Sequence, residues 1–247
     1  MKALVLAAGY ATRLYPLTKD YPKPLLKVGS RHIIDYIIEK LSRVERIDEI
    51  LVITNSRFFS HFKRWGKRVT TEKKLTLVDD LTRSLSDRRG AIGDMFFAIE
   101  RKKIDDDLLV IGGDNLFDGN LEKFLAFTCR HGSSPVVGVY KLKNRKEASK
   151  YGVAKLNRNF RVIDFKEKPQ KPQSSLVAMC LYYFPKSKIR LIREYMLKTA
   201  NKQDATGFYI DWLRRKVPVY GFVFEGRWFD IGDRHFYQKA KENFFNL

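Results

Sequence analysis

The stretch 6-LAAGYATRLYPLTKDYPKPLLKVG-29 holds two glycines, three prolines, one arginine and three lysines, and it follows directly on the apolar run 3–7. A loop that leaves a strand through Gly9 can bring backbone N–H groups close to an anion. Arg13 adds a planar fork of donors suited to the non-bridging oxygens of a phosphate. Lys23 lies between Pro22 and Pro24, whose rings restrict the backbone and aim the ammonium. The chemistry these residue types suit is the holding of a polyanion. Spacing excludes two common phosphate loops. GxxxxGK followed by Ser or Thr does not occur, and GxGxxG fails because positions 9, 11 and 14 are Gly, Ala and Leu. Phosphates must be held here by a different arrangement.

Such a loop needs a strand before it and a sheet around it. Short apolar runs predict strands at 2–7, 49–54, 74–78, 107–113, 135–140, 152–156, 161–165, 179–184 and 218–224. The continuous run 107–113 suits a strand buried on both faces. The segment 32–41 has apolar residues at 33, 34, 37, 38 and 41, which is helical spacing, and further helices are expected at 57–68, 92–103, 120–131, 186–199, 207–216 and 234–245. The first half alternates strand and helix, which predicts a mostly parallel sheet with right-handed crossovers. The second half is richer in strands and predicts a smaller mixed or antiparallel layer. In open parallel sheets ligands bind beyond the carboxyl ends of the strands. The opening loop and Asp114 both stand at such ends.

Composition narrows the class. The chain has 247 residues, 44% of them hydrophobic, enough for a buried core. Mean hydropathy is −0.36, and the apolar runs are too short to span a membrane. The N-terminal run is too short and too polar for a signal peptide, so a cytoplasmic protein is expected. Cys129 and Cys180 belong to no CxxC pair, and both are expected to be packed thiols. The net charge is +20. The basic runs are scattered, and no RNP aromatic pair, helix-turn-helix pattern or zinc finger accompanies them. Attraction of small polyanions is the better-supported reading, with no specific nucleic-acid partner.

The opening motif resembles the signature of the sugar-1-phosphate nucleotidylyltransferases, which reads roughly AGGxGTRLxPLTxxxPKPxxxV. The likeness continues in order through IGGDN (111–115), YGV (151–153), EKP (167–169) and WFDIGD (228–233), covering nearly the whole chain. The resemblance implies an α/β fold: a Rossmann-like, mostly parallel mixed sheet flanked by helices, with a smaller β-rich acceptor-binding lobe. It implies one domain over 1–247, with a nucleotide-binding half at about 1–115 and an acceptor-binding half at about 116–247. The implied reaction joins an NTP and a sugar 1-phosphate, giving an NDP-sugar and pyrophosphate. The nucleophile is already an anion, so positioning and electrostatics must supply most of the catalysis. His32, His61, His131 and His235 form no evident triad and read as structural.

By the same resemblance, Arg13 should hold the β- and γ-phosphates and Lys23 the α-phosphate region. Asp114 and Asp230 should bind Mg²⁺, which takes a few carboxylates and completes its octahedron with phosphate oxygens and water. Leu6, Ala8, Gly9, Ala11, Thr12 and Gly90 are the nucleotide-binding candidates. Gly152, Glu167 and Lys168 are the acceptor-binding candidates, with Asp204 and Gly207 at the border of that pocket. The polar run 82–87 is placed to read the base edge.

Two positions depart from the family pattern. Ala11 and Cys180 stand where glycine is usual, and Ala11 is penalised at positive φ. The chain also lacks the long C-terminal extension of some members. Cys180 and the short chain keep open a non-hexose acceptor such as phosphocholine or an inositol phosphate. A non-catalytic homologue that binds nucleotide sugars is a further alternative. The base, the sugar and self-association into a homo-oligomer are left open.

Overall fold

The structure, a computed structural model, describes residues 1–199 and 205–244. Along the chain the strands are β1 (Lys2–Leu6), β2 (Lys27–Val28), β3 (Arg31–His32), β4 (Glu49–Thr54), β5 (Lys74–Asp79), β6 (Leu108–Gly112), β7 (Asn115–Phe117), β8 (Val136–Lys141), β9 (Gly152–Leu156), β10 (Val162–Glu167), β11 (Leu176–Phe184), β12 (Tyr220–Phe224) and β13 (Trp228–Asp230). The helices are α1 (Ile33–Ser42), α2 (Phe59–Gly66), α3 (Gly90–Lys102), α4 (Leu121–Arg130), α5 (Lys186–Thr199), α6 (Thr206–Lys216) and α7 (Arg234–Asn243). The fold is α/β, a mixed, mostly parallel sheet flanked by helices, and every strand and helix expected from the apolar pattern is present. No helix among the described residues is long and apolar enough to cross a membrane.

The chain forms two compact units. The first gathers three separate segments, Met1–Arg89, Ile111–Asp118 and Gly226–Leu247. Its sheet is parallel: β1 pairs with β4 (Leu4↔Leu51) and β4 with β5 (Val52↔Leu77). Ala3, Leu4 and Val5 are fully buried, as a parallel strand covered on both faces must be. α1 buries Ile33, Ile34, Ile37, Ile38 and Leu41, each contributing about 1.5–3 kcal/mol before entropy is counted. Its N-terminus is closed by a capping box, in which the His32 N–H donates to Asp35 Oδ2 (2.9 Å) and the His32 ring lies 3.0 Å from the same oxygen.

β7 pairs antiparallel with β13, setting Asp230 opposite Asn115 and Phe229 opposite Leu116. Both strands lie over a core of Leu14, Leu26, Val28, Ile33, Leu116, Ile231 and Ala240. That core ties the opening loop, the proline-flanked segment and α7 together.

The second unit comprises Gly90–Val110 and Gly119–Glu225. It is largely antiparallel. β11 pairs with β8 (Val177↔Tyr140) and β9 (Val177↔Val153), and β10 pairs with β9 (Gly152↔Glu167). β12 runs parallel to β8 (Gly221↔Val137). α4 packs Phe124 on Phe224, ring centroids 5.6 Å apart, and the buried Tyr195 and Tyr209 join α5 to α6 at 5.2 Å. One expectation about the cysteines is corrected. Cys129 is exposed and Cys180 only half-buried. Cys129 lies off the buried face of α4, which is formed by Leu121, Phe124, Leu125, Phe127 and Thr128.

Candidate active site

In the first unit the opening loop leaves β1 with its carbonyls tied down. The Ala7 N–H donates to the Ile53 carbonyl (2.8 Å), and Asn55 Nδ2 donates to the Ala8 carbonyl (2.8 Å). Thr18 Oγ1 donates to the Ala11 carbonyl at 2.8 Å. Leu6 ends β1, Ala8 is buried, and Gly9 is exposed, with nothing within 4 Å of where a Cβ would stand. Ala11 adopts φ 48° and ψ 44°, the left-handed region. An L-residue with a Cβ bears about 1–2 kcal/mol there, which accounts for the glycine usual at this place. Thr12 and Arg13 then enter a short 3₁₀ turn, Thr12–Leu14, with Leu14 buried and Arg13 exposed.

Lys23 begins a second 3₁₀ turn, Lys23–Leu25. The Leu25 N–H donates to the Pro22 carbonyl and the Leu26 N–H to the Lys23 carbonyl, both at 3.0 Å. This stiff segment carries the ammonium inward. Lys23 Nζ donates to Asp114 Oδ2 and, at 3.0 Å, to the Ile231 carbonyl. Burial by itself pulls the Lys23 pKa down, but the charges of Asp114 and Asp230 outweigh it. The net direction is up, against a smaller downward push from Arg13. Lys23, Asp114, Asp230 and Arg13 therefore share one electrostatic neighbourhood.

Asp114 sits in the turn between β6 and β7. Gly113 makes that turn tight: its N–H donates to the Leu6 carbonyl at 2.8 Å, and a Cβ there would meet the same carbonyl oxygen at 2.9 Å and Pro24 at 3.3 Å. No larger residue would let β1, the proline-flanked segment and Asp114 approach so closely. Asp230 belongs to β13, and it is Asp233 that caps α7 by accepting from the Phe236 N–H at 3.0 Å. Trp228 Nε1 donates to Asn115 Oδ1 at 2.9 Å, and Asp118 accepts from the Arg227 N–H (2.6 Å) and Nε (2.8 Å), fastening the β7–β13 ladder at both ends.

No group of three or more His, Cys, Asp and Glu among the described residues could hold a metal. Asp114 and Asp230 are the carboxylates that could, Asp114 from the residue just before β7 and Asp230 from the ladder position opposite Asn115. Two carboxylates, with remaining positions filled by phosphate oxygens and water, suit a hard divalent cation. That Lys23 places its ammonium against them shows that a positive charge is stable at this point.

The run 82–87 folds on itself. The Thr82 N–H donates to Asp80 Oδ1 (2.7 Å), the Asp87 carboxylate accepts from the N–H groups of Arg83 (3.0 Å) and Ser84 (2.8 Å), and Thr82 Oγ1 lies 3.3 Å from Tyr10 Oη. Two residues absent from the expected list matter here: Asn55 holds the opening loop through the Ala8 carbonyl, and Asn115 accepts from Trp228 in the β7–β13 ladder. The signal of Asn55 in the sequence is a polar side chain directly at the carboxyl end of a buried run.

The second unit gathers the other candidates. Glu167 is enclosed, with 12% of its side chain exposed. Gly152 lies directly across the ladder from it, and Gly207 opens α6 beside it. A Cβ on Gly152 would come within 3.1 Å of Glu167 Oε2, and one on Gly207 within 1.9 Å. Gly207 leaves room for that carboxylate, and Gly152 leaves room first for the Phe165 ring, whose carbons a Cβ would meet at 2.8 Å. Lys168, at φ 44°, is 58% exposed with Nζ 3.7 Å from Glu167 Oε1. Tyr182 donates from Oη to Thr206 Oγ1 at 2.8 Å. Burial pushes its phenol well up, against a smaller downward pull from the hydrogen bond to Thr206, so it stays a neutral donor. Cys180 has φ 51° at the register shift of β11 against β8, again a backbone suited to glycine. Gly90 belongs to this unit, at φ 73° where α3 begins. Asp204 lies outside the described residues.

The nucleotidyl transferase family model matches residues 2–245. Bifunctional protein GlmU of Methanocaldococcus jannaschii is 29% identical over 94% of this chain and 51% of its own length. The glucose-1-phosphate thymidylyltransferase of Neisseria meningitidis is 28% identical over 94% of this chain and 78% of its own. A solved UDP-glucose pyrophosphorylase bound to UDP-glucose superimposes with a TM-score of 0.81 at 18% identity, covering 99% of this chain and 98% of that one, so the two have the same fold. The chain spans about half the length of the GlmU relatives it matches.

Proposed function

This chain belongs to the nucleotidyl transferase family, and from that premise we propose that it transfers a nucleotidyl group from an NTP to a sugar 1-phosphate, releasing pyrophosphate. An oxygen of the sugar phosphate attacks the α-phosphorus, and the bond from that phosphorus to the β-bridging oxygen breaks. The reacting groups are anions throughout, so the protein's task is to bring them together and neutralise the charge that moves to the leaving group.

The observation that carries this reading is the buried Lys23 ammonium, held between Asp114 and the Ile231 carbonyl beside the opening loop. Lys23 stabilises charge at the α-phosphate, and the exposed Arg13 fork takes the departing β- and γ-phosphates. The backbone from Leu6 through Ala8, Gly9, Ala11 and Thr12 lies along the nucleotide, with Gly90 against the base. The family generally works with a divalent metal ion. Here Mg²⁺ would be held by Asp114 and Asp230 and would supply charge neutralisation on the triphosphate. Glu167 accepts from a sugar hydroxyl beside Gly152, and Lys168 meets the acceptor's phosphate.

A second reading keeps the chemistry and changes the acceptor. It rests on Cys180, which puts a side chain two residues from Tyr182 on β11 where glycine is usual, a change that would narrow the room for a hexose if the acceptor binds there. The test is pyrophosphate release with purified protein and Mg²⁺, over a panel of NTPs against hexose 1-phosphates, phosphocholine and inositol phosphates. Release with a hexose 1-phosphate supports the first reading, and release only with another acceptor supports the second. Nucleotide-sugar binding with no release from any pair would leave a non-catalytic homologue.

A further inference from the structure

A cavity of about 780 Å³ opens in the first unit between α1, α2 and the segment 68–72. None of Arg13, Lys23, Asp114 or Asp230 lines it. Its volume lies within the roughly 300–1,000 Å³ of small-molecule sites. The floor is aromatic and apolar, formed by Tyr21, Ile38 and Trp65.

The charges around the cavity are unevenly spent. Asp35 accepts from Trp65 Nε1 (2.7 Å) and caps α1 with its other oxygen. Glu39 takes both Arg31 and Arg43. The remaining carboxylate, Glu72, is exposed at the rim. Arg64, on α2, and Arg68, two residues beyond its end, are both exposed at the rim and enter no ion pair among the described residues. His61 Nδ1 is buried with no hydrogen-bond partner. The ring packs edge-on against Tyr21 at 5.4 Å. Burial, and then Arg64, hold its pKa below the ordinary value, so the ring is neutral and can donate or accept.

The cavity also touches the catalytic segment from behind. Tyr21 and Leu25 stand two residues to either side of Lys23 and both line the cavity. Pro22, Pro24 and the 3₁₀ turn make that stretch stiff. A displacement at Tyr21 or Leu25 is therefore passed to the Lys23 backbone instead of being absorbed.

We propose that this cavity is an effector site for a phosphate monoester of a ring compound, of about nucleoside-monophosphate size, whose binding alters turnover through the Tyr21–Leu25 segment. The dianionic head is matched by the two guanidiniums of Arg64 and Arg68. The ring lies on Trp65 and Tyr21, with the His61 ring at its edge. Coupling then means two sites sharing one rigid element, with the reciprocal effect on affinity that linkage requires.

The test is calorimetric titration of the full chain with adenosine 5′-monophosphate, uridine 5′-monophosphate and ribose 5-phosphate. The variants are R64A/R68A, which removes the head group's partners, and T70W, which fills the cavity from its exposed rim. The expected result is binding of at least one probe to the wild type, weakened about tenfold or more in both variants. Circular dichroism and turnover without probe should be unchanged. The bound probe should change wild-type turnover by about threefold or more without raising the KM for NTP, and R64A/R68A should not respond. No binding by any probe, equal binding by the variants, or an effect confined to competition with NTP would each overturn the proposal. The turnover arm rests on the proposed transferase activity, whereas the binding arm does not. Probe binding that depends on Arg64 and Arg68, in a protein inactive on every substrate pair, would remove the reaction and keep the site.

Discussion

Each unit sets a lysine beside a carboxylate, and the two pairs are built differently. In the first, both partners are largely enclosed: the Lys23 side chain is 15% exposed and bonded to Asp114, which is 26% exposed. In the second, the anion is enclosed: Glu167 is 12% exposed, while Lys168 is 58% exposed and 3.7 Å away. With its cation in solvent and 3.7 Å away, the second pair adds little to stability. A buried ammonium must instead have its charge compensated or lose it. The first arrangement offers fixed positive charge, useful to phosphates. The second offers a fixed acceptor in a space shaped by two glycines, useful to hydroxyls. Charge dominates one site and shape the other.

The sharpest way to break this contrast is to remove the carboxylates around Lys23. Asp114→Asn and Asp230→Asn should each lower turnover by about 10²–10³-fold while circular dichroism shows the fold intact. Wild-type-like turnover in either variant would take that residue out of the metal assignment. Lys23→Ala should come next, with turnover down about 100-fold and NTP affinity changed by less than about tenfold, separable by single-turnover kinetics and equilibrium binding. Equal loss in both measurements would make Lys23 a binding residue only.

On the side governed by shape, Gly207→Ala puts a Cβ 1.9 Å from Glu167 Oε2 and must displace the carboxylate. The KM for the acceptor should rise roughly tenfold, equivalent to about 1.4 kcal/mol, with the KM for NTP unchanged. A matching rise in both would show that Glu167 does not belong to the acceptor site alone. The smallest effects should come from Ala11→Gly and Cys180→Gly. Each relieves a left-handed backbone and should raise stability by about 0.5–1 kcal/mol, read from denaturant midpoints. If Cys180→Gly also widens acceptor scope while Ala11→Gly does not, the division between the two sites is sharpened.

Much of the first unit's candidate site could be proposed from the sequence because its residues advertise themselves. Two prolines bracket Lys23, and an apolar run ends at Asp114. The β2–β3 and β7–β13 ladders were not legible, since two or three residues are too few to show a period. Trp228 and Asn115, 113 positions apart, carry no local sign of their pairing. Ala11 shows what a motif can and cannot say. Its departure from glycine is visible in the sequence, but the reason, φ 48°, is visible only in the structure. The exposure of Cys129 was missed for a simpler reason: cysteine is usually buried, and here the helix periodicity of α4 outweighs that tendency.

The ladder that delivers Asp230 also sets a schedule. β7 finds its partner strand only when the ribosome has made more than a hundred further residues, so a growing chain can complete its β1–β4–β5 sheet long before Asp230 and the Ile231 carbonyl reach Lys23. Until then the ammonium lacks part of its compensation. The surroundings of Lys23 are thus among the last features to be finished during synthesis, and a half-made chain holds its opening loop without the strand that completes them.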